Sequence, residues 1–386
     1  MLGSLHDVTR ANAGTPLRAV AFVGTRPEAI KLAPVVVAAR AMPGIELTLV
    51  DSGQHPTAGK QALASLGLTA DITLDSHRPG APLGQQVAAL LHSCGGILAD
   101  SPPDVVLVQG DTSTTLAGTL AGFYAGIEVA HIEAGLHTPT LHSPFPEEAH
   151  RRLVRTIAHL HLAPTHGAAQ HLRAQGVHAQ QIVVTGNTVV DAVHHALAQP
   201  VDQLHVSPGR RLVVVTAHRR ESWGAPLERV MAAIASLAAQ LPEVDWCVVQ
   251  HPNPALGEVV QRILGGVPTV RLLPPQPYVE FIHLVRQSSL VITDSGGLQE
   301  ELPTLGVPAL VTRDSTERTE GLQAGAAEQV GTDQAVIEAA VLRTLGAERS
   351  APLPNPYGDG QAAQRVCEAL LWSAGRGERP TEFTPG

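Results

Sequence analysis

Residues Val291–Glu301 read V-I-T-D-S-G-G-L-Q-E-E, an apolar run ending in an Asp-Ser-Gly-Gly turn ahead of a helix-prone segment. Such a pattern predicts a buried parallel strand that feeds a helix N-terminus. Gly296 and Gly297 would let the backbone approach a ligand, and the unpaired N–H groups of a first helical turn attract anions. A diphosphate suits that position, although simple turn chemistry would use the same residues. Glu301, about one turn on, is the residue type that accepts hydrogen bonds from ribose hydroxyls. Other candidates stand at the ends of other apolar runs. Gly24-Thr25-Arg26-Pro27-Glu28-Ala29-Ile30-Lys31 puts two cations, Arg26 and Lys31, at a helix start. Asp111 follows Val105–Gln109 among hydroxyls, where an N-cap role is also open, and Glu133 follows Glu128–Ile132. Glu147 and Glu148 begin a further helix, where acids also complement the helix dipole. His218 follows Leu212–Thr216, beside Arg219 and Arg220. Several acids facing a histidine and arginines around a diphosphate suit proton transfer on a nucleotide sugar, with the nucleotide diphosphate as leaving group.

These residues require a scaffold of strand ends. Short Val/Ile-rich runs alternate with Ala/Leu-rich amphipathic segments along the whole chain, which predicts parallel sheets with helices on both faces. Strands are expected at 18–23, 46–51, 105–109, 128–132, 159–163 and 182–184, then at 212–216, 246–250, 269–272, 290–293 and 309–311. A polar stretch, 199–209, reads as a linker, so the pattern predicts two Rossmann-like domains, 17–198 and 211–374, around a deep cleft. The last helix, about 360–374, is expected to return to the first domain, and 375–386 to be disordered.

Composition narrows the function classes. A chain of 386 residues holds two cores, and 44% hydrophobic with 3% aromatic content suggests Ala, Val, Leu and Ile packing. A net charge of −9 without a basic stripe argues against nucleic acid or an anionic membrane as partner. The three cysteines, Cys94, Cys247 and Cys367, fit neither a disulfide framework nor a metal spacing. Nineteen histidines, twelve of them between His131 and His205, form no His-Glu-x-x-His pattern. No metal is expected. No run approaches a membrane span and the first sixteen residues lack a signal-peptide core, so a cytoplasmic protein is expected. Lys31 and Lys60 are the two lysines in a chain otherwise rich in arginine. Coding bias explains the preference, yet Lys31 is a place where a compact ammonium could be needed.

At these same residues the chain resembles the non-hydrolysing UDP-N-acetylglucosamine 2-epimerases. The matching segments are G-T-R-P-E-A-I-K-L-A-P (24–34), G-Q-H (53–55), Q-G-D-T-S-T-T (109–115), H-I-E-A-G-L (131–136), P-F-P-E-E (144–148), G-N-T-V-V-D (186–191), H-R-R-E-S (218–222), H-P-N-P (251–254), T-D-S-G-G-L-Q-E-E (293–301) and T-E-R (316–318). The resemblance implies a glycosyltransferase-B type fold and interconversion of UDP-GlcNAc and UDP-ManNAc without NAD or another cofactor. It implies elimination of UDP to 2-acetamidoglucal and re-addition, Asp111, Glu133 and Glu147 as acid/base and cation-stabilising carboxylates, and His218 as partner of the diphosphate or sugar. Arg26, Lys31, Ser295, Gly296, Gly297 and Arg318 would contact the diphosphate and substrate, Glu301 the ribose, and Gln276 and Phe281 the uracil. A homodimer serving cell-surface polysaccharide biosynthesis is implied in the same way. A hydrolysing epimerase, a UDP-sugar glycosyltransferase of the same fold and a nucleotide-sugar-binding regulator are the competing readings. Departures from the family pattern are His137 where Arg is common, His150 where Asn is usual, Thr319 in place of Pro, and Pro56-Thr57-Ala58 after Gly-Gln-His.

Overall fold

The computed structural model describes residues 15–201, 207, 209–217, 219, 223–316, 318–347 and 354–385. The chain forms two compact α/β units, one from residues up to 192 together with 358–384, the other from 193–357. Each is Rossmann-like, with one parallel sheet and interleaved helices.

In the first unit the elements run β1 (Leu17–Val23), α1 (Arg26–Ala41), β2 (Ile45–Asp51), α2 (Ala58–Ser65), β3 (Ile72–Thr73), α3 (Leu83–Asp100), β4 (Val105–Gln109), α4 (Ser113–Tyr124), β5 (Glu128–Ile132), α5 (Glu147–Ile157), β6 (Leu160–Ala163), α6 (His166–Ala174) and β7 (Ile182–Val184). Helix α7 (Thr188–Ala198) then leads into the second unit. Its sheet order is β3-β2-β1-β4-β5-β6-β7. The direction of progression therefore reverses between β1 and β4. Loops leaving those two strands diverge to opposite faces and open a crevice at their C-terminal ends, where such folds bind ligands.

The second unit repeats the plan with β8 (Arg211–Thr216), α8 (Ala225–Gln240), β9 (Val244–Val249), α9 (Pro254–Leu264), β10 (Val270–Leu273), α10 (Tyr278–Arg286), β11 (Leu290–Thr293), α11 (Gly296–Leu305), β12 (Ala309–Val311), α12 (Thr319–Gln323), β13 (Ala327–Gln329) and α13 (Gln334–Gly346). Its order, β10-β9-β8-β11-β12-β13, puts the reversal between β8 and β11. The core around these strands buries Trp246, Met231, Leu237 and Val215 completely.

Central strands are buried on both faces, which is why they read as continuous Val/Ile/Leu runs. Helix α4 approaches its sheet closely because Gly118 presents no side chain. A Cβ there would stand 2.9 Å from the Phe22 ring and 3.1 Å from Val108. That contact sets the height at which the N-terminus of α4, with Asp111 just before it, meets the crevice.

Strands β3 and β13 and helices α12 and α13 have no counterpart in the sequence expectations. The two strands hold two and three residues at sheet edges, too short for a hydrophobic period to show. Helix α14 (Ala362–Ser373) packs on α1, and the Asp191 carboxylate of α7 accepts the Ala362 and Ala363 N–H groups at 3.2 and 2.9 Å. The stretch 375–385, expected to be disordered, is instead ordered against β7. Phe383 is 2% exposed and its N–H donates to Val184 O at 2.8 Å. Arg379 lies over the Trp372 ring at 4.7 Å. One buried aromatic and two stacked arginine contacts outweigh a Gly/Arg/Pro composition that points to disorder.

Candidate active site

The first crevice is built by the turns after β1, β4 and β5. Thr25 caps α1, its hydroxyl accepting the Glu28 N–H at 3.4 Å, and Pro27 occupies the first turn. Arg26 is half-buried at this helix start. A Cβ on Gly24 would fall 2.1 Å from Thr114 Oγ1 and 2.4 Å from Ser52 Oγ, so only glycine lets the ends of β1, β2 and β4 converge. One and a half turns into α1, Lys31 is buried, and its Nζ donates to Glu133 Oε1. The ammonium that the arginine-rich composition left conspicuous is thus matched to a carboxylate.

Glu133 leaves β5 with φ 64°, the left-handed conformation that a glutamate adopts only when its surroundings impose it. Those surroundings are polar. Beside Lys31, the Gln109 amide donates to Glu133 Oε2, and Asn187 Nδ2 donates to Oε1 at 3.4 Å. Both oxygens are engaged and the side chain is aimed inward from a strand end. Beneath it, His131 donates from Nε2 to Gly110 O at 2.7 Å and is kept neutral, its pKa lowered mainly by burial.

Asp111 precedes the α4 N-cap, Thr112, and is half-buried. Arg151 of α5 grips it from Nε at 2.8 Å and Nη2 at 2.7 Å. His150 Nδ1 donates to the Asp111 carbonyl at 2.8 Å, which gives the histidine at that departure from the family pattern a definite task. Glu147 is the first residue of α5, and its Oε2 is buried without a hydrogen-bond partner among the described residues. Glu148, its neighbour, is structural. It accepts His137 Nδ1 at 2.8 Å, Thr138 N–H at 3.0 Å and Arg152 Nε at 2.9 Å. Burial alone would raise its pKa, but the Arg152 and Thr138 hydrogen bonds and the His137 interactions outweigh that and hold the carboxyl below its usual range.

In the second unit, Asp294 at the end of β11 is fully buried and accepts the Arg219 N–H at 3.0 Å, which ties the turn after β8 to the turn after β11. Ser295 caps α11, accepting the Leu298 N–H at 3.4 Å. The two glycines behave differently. A Cβ on Gly296 would lie 2.9 Å from Arg219 Nη2 and 3.4 Å from Arg318 Cζ, whereas one on Gly297 would face open space. Two guanidinium groups therefore gather over the N-terminal end of α11, adding full charges to the helix dipole at an anion-binding position. Arg318 is set there by its Nε donating to Glu300 Oε1 at 3.0 Å, a pair in which both side chains are buried.

Glu301 lies one turn along and accepts the Tyr278 hydroxyl at 3.1 Å. Gln276 donates to Pro274 O at 2.7 Å just before α10, and Phe281 is half-buried on that helix. His218 lies outside the described residues. The structure thus brings Lys31, Glu133 and the Asp111 turn together in one unit, and Ser295, Gly296 and Arg318 together in the other.

Reading by residue type missed the groups that hold these side chains: Gln109 and Asn187 on Glu133, Arg151 on Asp111, Glu300 on Arg318. It also missed Glu28, a buried carboxyl beneath the Asp111 turn. Four of these five stand inside the quoted motifs, so the motifs were a signal even though polar amides and a second acid have ordinary explanations. Arg151 could be found only from its helical spacing to Glu147. The three cysteines are buried, and burial pushes their thiols up to about 12, 11 and 12 for Cys94, Cys247 and Cys367. Thiolate chemistry has no foothold there. Among the described residues no His, Cys, Asp or Glu side chains cluster as metal ligands, and no helix is long and apolar enough to cross a membrane.

The sequence model of the UDP-N-acetylglucosamine 2-epimerase family matches residues 37–371. The UDP-N-acetylglucosamine 2-epimerase of Escherichia coli K12 is 42% identical over 369 residues, covering 92% of this chain and 98% of the relative. A crystal structure of a UDP-GlcNAc 2-epimerase from Neisseria meningitidis bound to UDP-GlcNAc superposes with a TM-score of 0.86 at 36% identity, covering 92% of this chain and all of that one. A putative UDP-N-acetylglucosamine 2-epimerase from Listeria monocytogenes gives 0.85 at 37% identity, covering 96% of this chain and all of that one. These matches cover most of the chain, and this chain belongs to the UDP-N-acetylglucosamine 2-epimerase family.

Proposed function

We propose that this protein interconverts UDP-GlcNAc and UDP-ManNAc by inverting C2 of the sugar, without net hydrolysis. In the forward step the C1–O bond to UDP breaks, its electron pair leaves with the diphosphate, and the C2 proton passes to a protein base, giving 2-acetamidoglucal and UDP. In the second step a proton is delivered to the opposite face of C2 and the UDP oxygen re-forms its bond to C1. The observation that carries this reading is the pair of differently held carboxylates at one crevice: Glu133 between Lys31, Gln109 and Asn187, and Asp111 on Arg151.

The chemistry calls for such groups. The C2 proton is barely acidic, so C1–O cleavage must lead, and positive charge builds on the sugar. Carboxylates held in place stabilise that charge without reorganising. Removal from one face and return to the other needs more than one acid/base group, and Asp111, Glu133 and Glu147 would share those roles. Lys31 acts through Glu133, its ammonium favouring the carboxylate form. The leaving diphosphate would be taken up by Ser295, the α11 N–H groups beside Gly296 and Gly297, and the guanidinium of Arg318, with His218 and Arg26 as further contacts. Glu301 would hold the ribose, and Gln276 and Phe281 the uracil. By likeness to the family, a cytoplasmic homodimer without a cofactor completes the proposal.

Proton NMR of the protein with UDP-GlcNAc in heavy water tests it. Deuterium should appear at C2 in both UDP-sugars. Epimerisation with the C2 hydrogen retained would rule the mechanism out, and release of UDP with free ManNAc would make the enzyme a hydrolysing one.

A further inference from the structure

We propose that Glu28 is a positioning residue for Asp111, held as the neutral carboxylic acid and acting through the Thr112 hydroxyl. The inference rests on the reading that Asp111 is catalytic. Glu28 is 1% exposed and reaches from α1 across the crevice floor to the start of α4. Thr112 Oγ1 donates to Glu28 Oε1 at 2.6 Å and accepts the Thr115 N–H at 3.1 Å, so one hydroxyl both caps α4 and anchors its cap residue to α1. Asp111 is the residue before that cap. Its carboxylate is gripped from α5 by Arg151, but the backbone it stands on is fixed from the other side by Glu28.

The count of protons agrees with the neutral acid. Thr115 Oγ1 lies 2.6 Å from Gln109 O and 3.2 Å from Glu28 Oε1. A hydroxyl has one proton to give, and the backbone carbonyl, which has none, takes it at the shorter distance. The Thr115–Glu28 contact is then a hydrogen bond only if Glu28 supplies the proton. The oxygen in contact with Thr115 is Oε1, so the proton belongs there, while Oε2 accepts the Gly24 N–H at 3.1 Å. With the proton on Oε1, Glu28 donates to Thr115, Thr115 to Gln109 O and Thr112 to Glu28, and each hydroxyl donates once. Burial also favours the uncharged form, pushing the Glu28 pKa up to about 7 against the hydrogen bonds of Thr112, Thr25 and Gly24. The titratable group facing it from α3, the Cys94 thiol, is itself neutral, pushed up to about 12.

Glu28→Gln is the informative variant. Its amide oxygen can accept the Gly24 N–H while its NH2 donates to both hydroxyls, and the Thr112 proton turns to Thr115 Oγ1, 3.2 Å away. Glu28→Gln should keep kcat within about threefold of the parent. Glu28→Ala removes the anchor and should lower kcat at least about tenfold while KM for UDP-GlcNAc stays put, as misplacement of a reacting group does. A Glu28→Gln loss as large as that of Glu28→Ala would show that the ionised carboxylate is needed and overturn the proposal. So would full activity in Glu28→Ala, or kcat and KM moving together. Should Glu28→Ala not fold, Thr112→Val must show the same kcat loss with KM spared, and an unaffected kcat overturns the inference. Difference infrared spectra of the parent minus Glu28→Gln, below neutral pH, must contain a protonated-carboxyl band. That readout needs no turnover. If the parent fails to epimerise UDP-GlcNAc, the proposed function falls, while the infrared band still decides the state of Glu28.

Discussion

Arg151 places both Nε, at 2.8 Å, and Nη2, at 2.7 Å, on one oxygen of Asp111, Oδ2. A planar fork closing on one oxygen fixes the position of Oδ2 and leaves Oδ1 with no hydrogen bond from the described residues. The same α5 helix begins with Glu147, so one helix carries both that acid and the group that grips Asp111.

From that geometry, Asp111→Asn should abolish turnover of UDP-GlcNAc and largely spare UDP binding. Arg151→Lys, which offers a point charge in place of a fork, should lower kcat about 10- to 100-fold with UDP affinity retained. Steady-state kinetics paired with calorimetric titration of UDP checks both. Near-normal turnover in Asp111→Asn would remove Asp111 from the catalytic set.

Lys31 and Glu133 predict a stability signature. The two side chains are buried together, so Lys31→Met removes the ammonium from a buried carboxylate, at a cost of about 3–5 kcal/mol. Adding Glu133→Gln to Lys31→Met should recover part of that loss. Urea unfolding of the two singles and the double gives the coupling, and strict additivity would show that the pair contributes nothing.

Gly296 predicts a binding defect without a folding defect. A methyl group there would press on Arg219 Nη2 and the Arg318 guanidinium. Gly296→Ala should weaken UDP binding about tenfold, near 1.4 kcal/mol. Gly297→Ala, whose Cβ faces open space, should weaken it less by contact with protein but equally if ligand occupies that space. Calorimetry with UDP separates the two, and unchanged affinity in both variants would move the anion site away from α11.

The pH dependence of stability follows from Glu28. Burial raises its carboxyl from the ordinary 4.5 to about 7. Between those values the folded chain holds a proton that the unfolded chain has released, so this contribution is whole below about 4.5 and is lost as pH rises through 7. The full span corresponds to about 3 kcal/mol. Asp191, raised to about 6 chiefly by burial, acts in the same direction over a lower window. Subtracting Glu28→Gln from the parent isolates Glu28. Denaturant unfolding from acid to mildly alkaline pH should show the parent losing stability relative to that variant, and parallel curves would contradict the shift.

Much of this was legible in the chain. Alternating apolar runs and amphipathic segments determined two parallel sheets, because a strand buried on both faces must be apolar throughout and a helix covering it must be apolar on one side. Strand ends located Asp111, Glu133 and the Asp294–Gly297 turn, because polar residues after an apolar run have nowhere to stand except the sheet's carboxyl edge. Edge strands β3 and β13 and the ordered tail were not legible. Two or three residues carry no period, and Phe383 looks like any lone aromatic until Val184 and Ile182 are seen beside it.

What only the tertiary structure decided is which polar groups meet. Lys31 and Glu133 are 102 residues apart, and Thr112 and Glu28 are 84 apart. Such partners follow from the strand order, β1 beside β4 beside β5, which no local pattern encodes. Sequence therefore determined the scaffold and the candidate acids, since periodicity and turn chemistry are local. The ion pairs, the buried carboxyl at Glu28 and the two guanidinium groups over Gly296 were decided by packing, since charge and burial depend on neighbours distant in the chain.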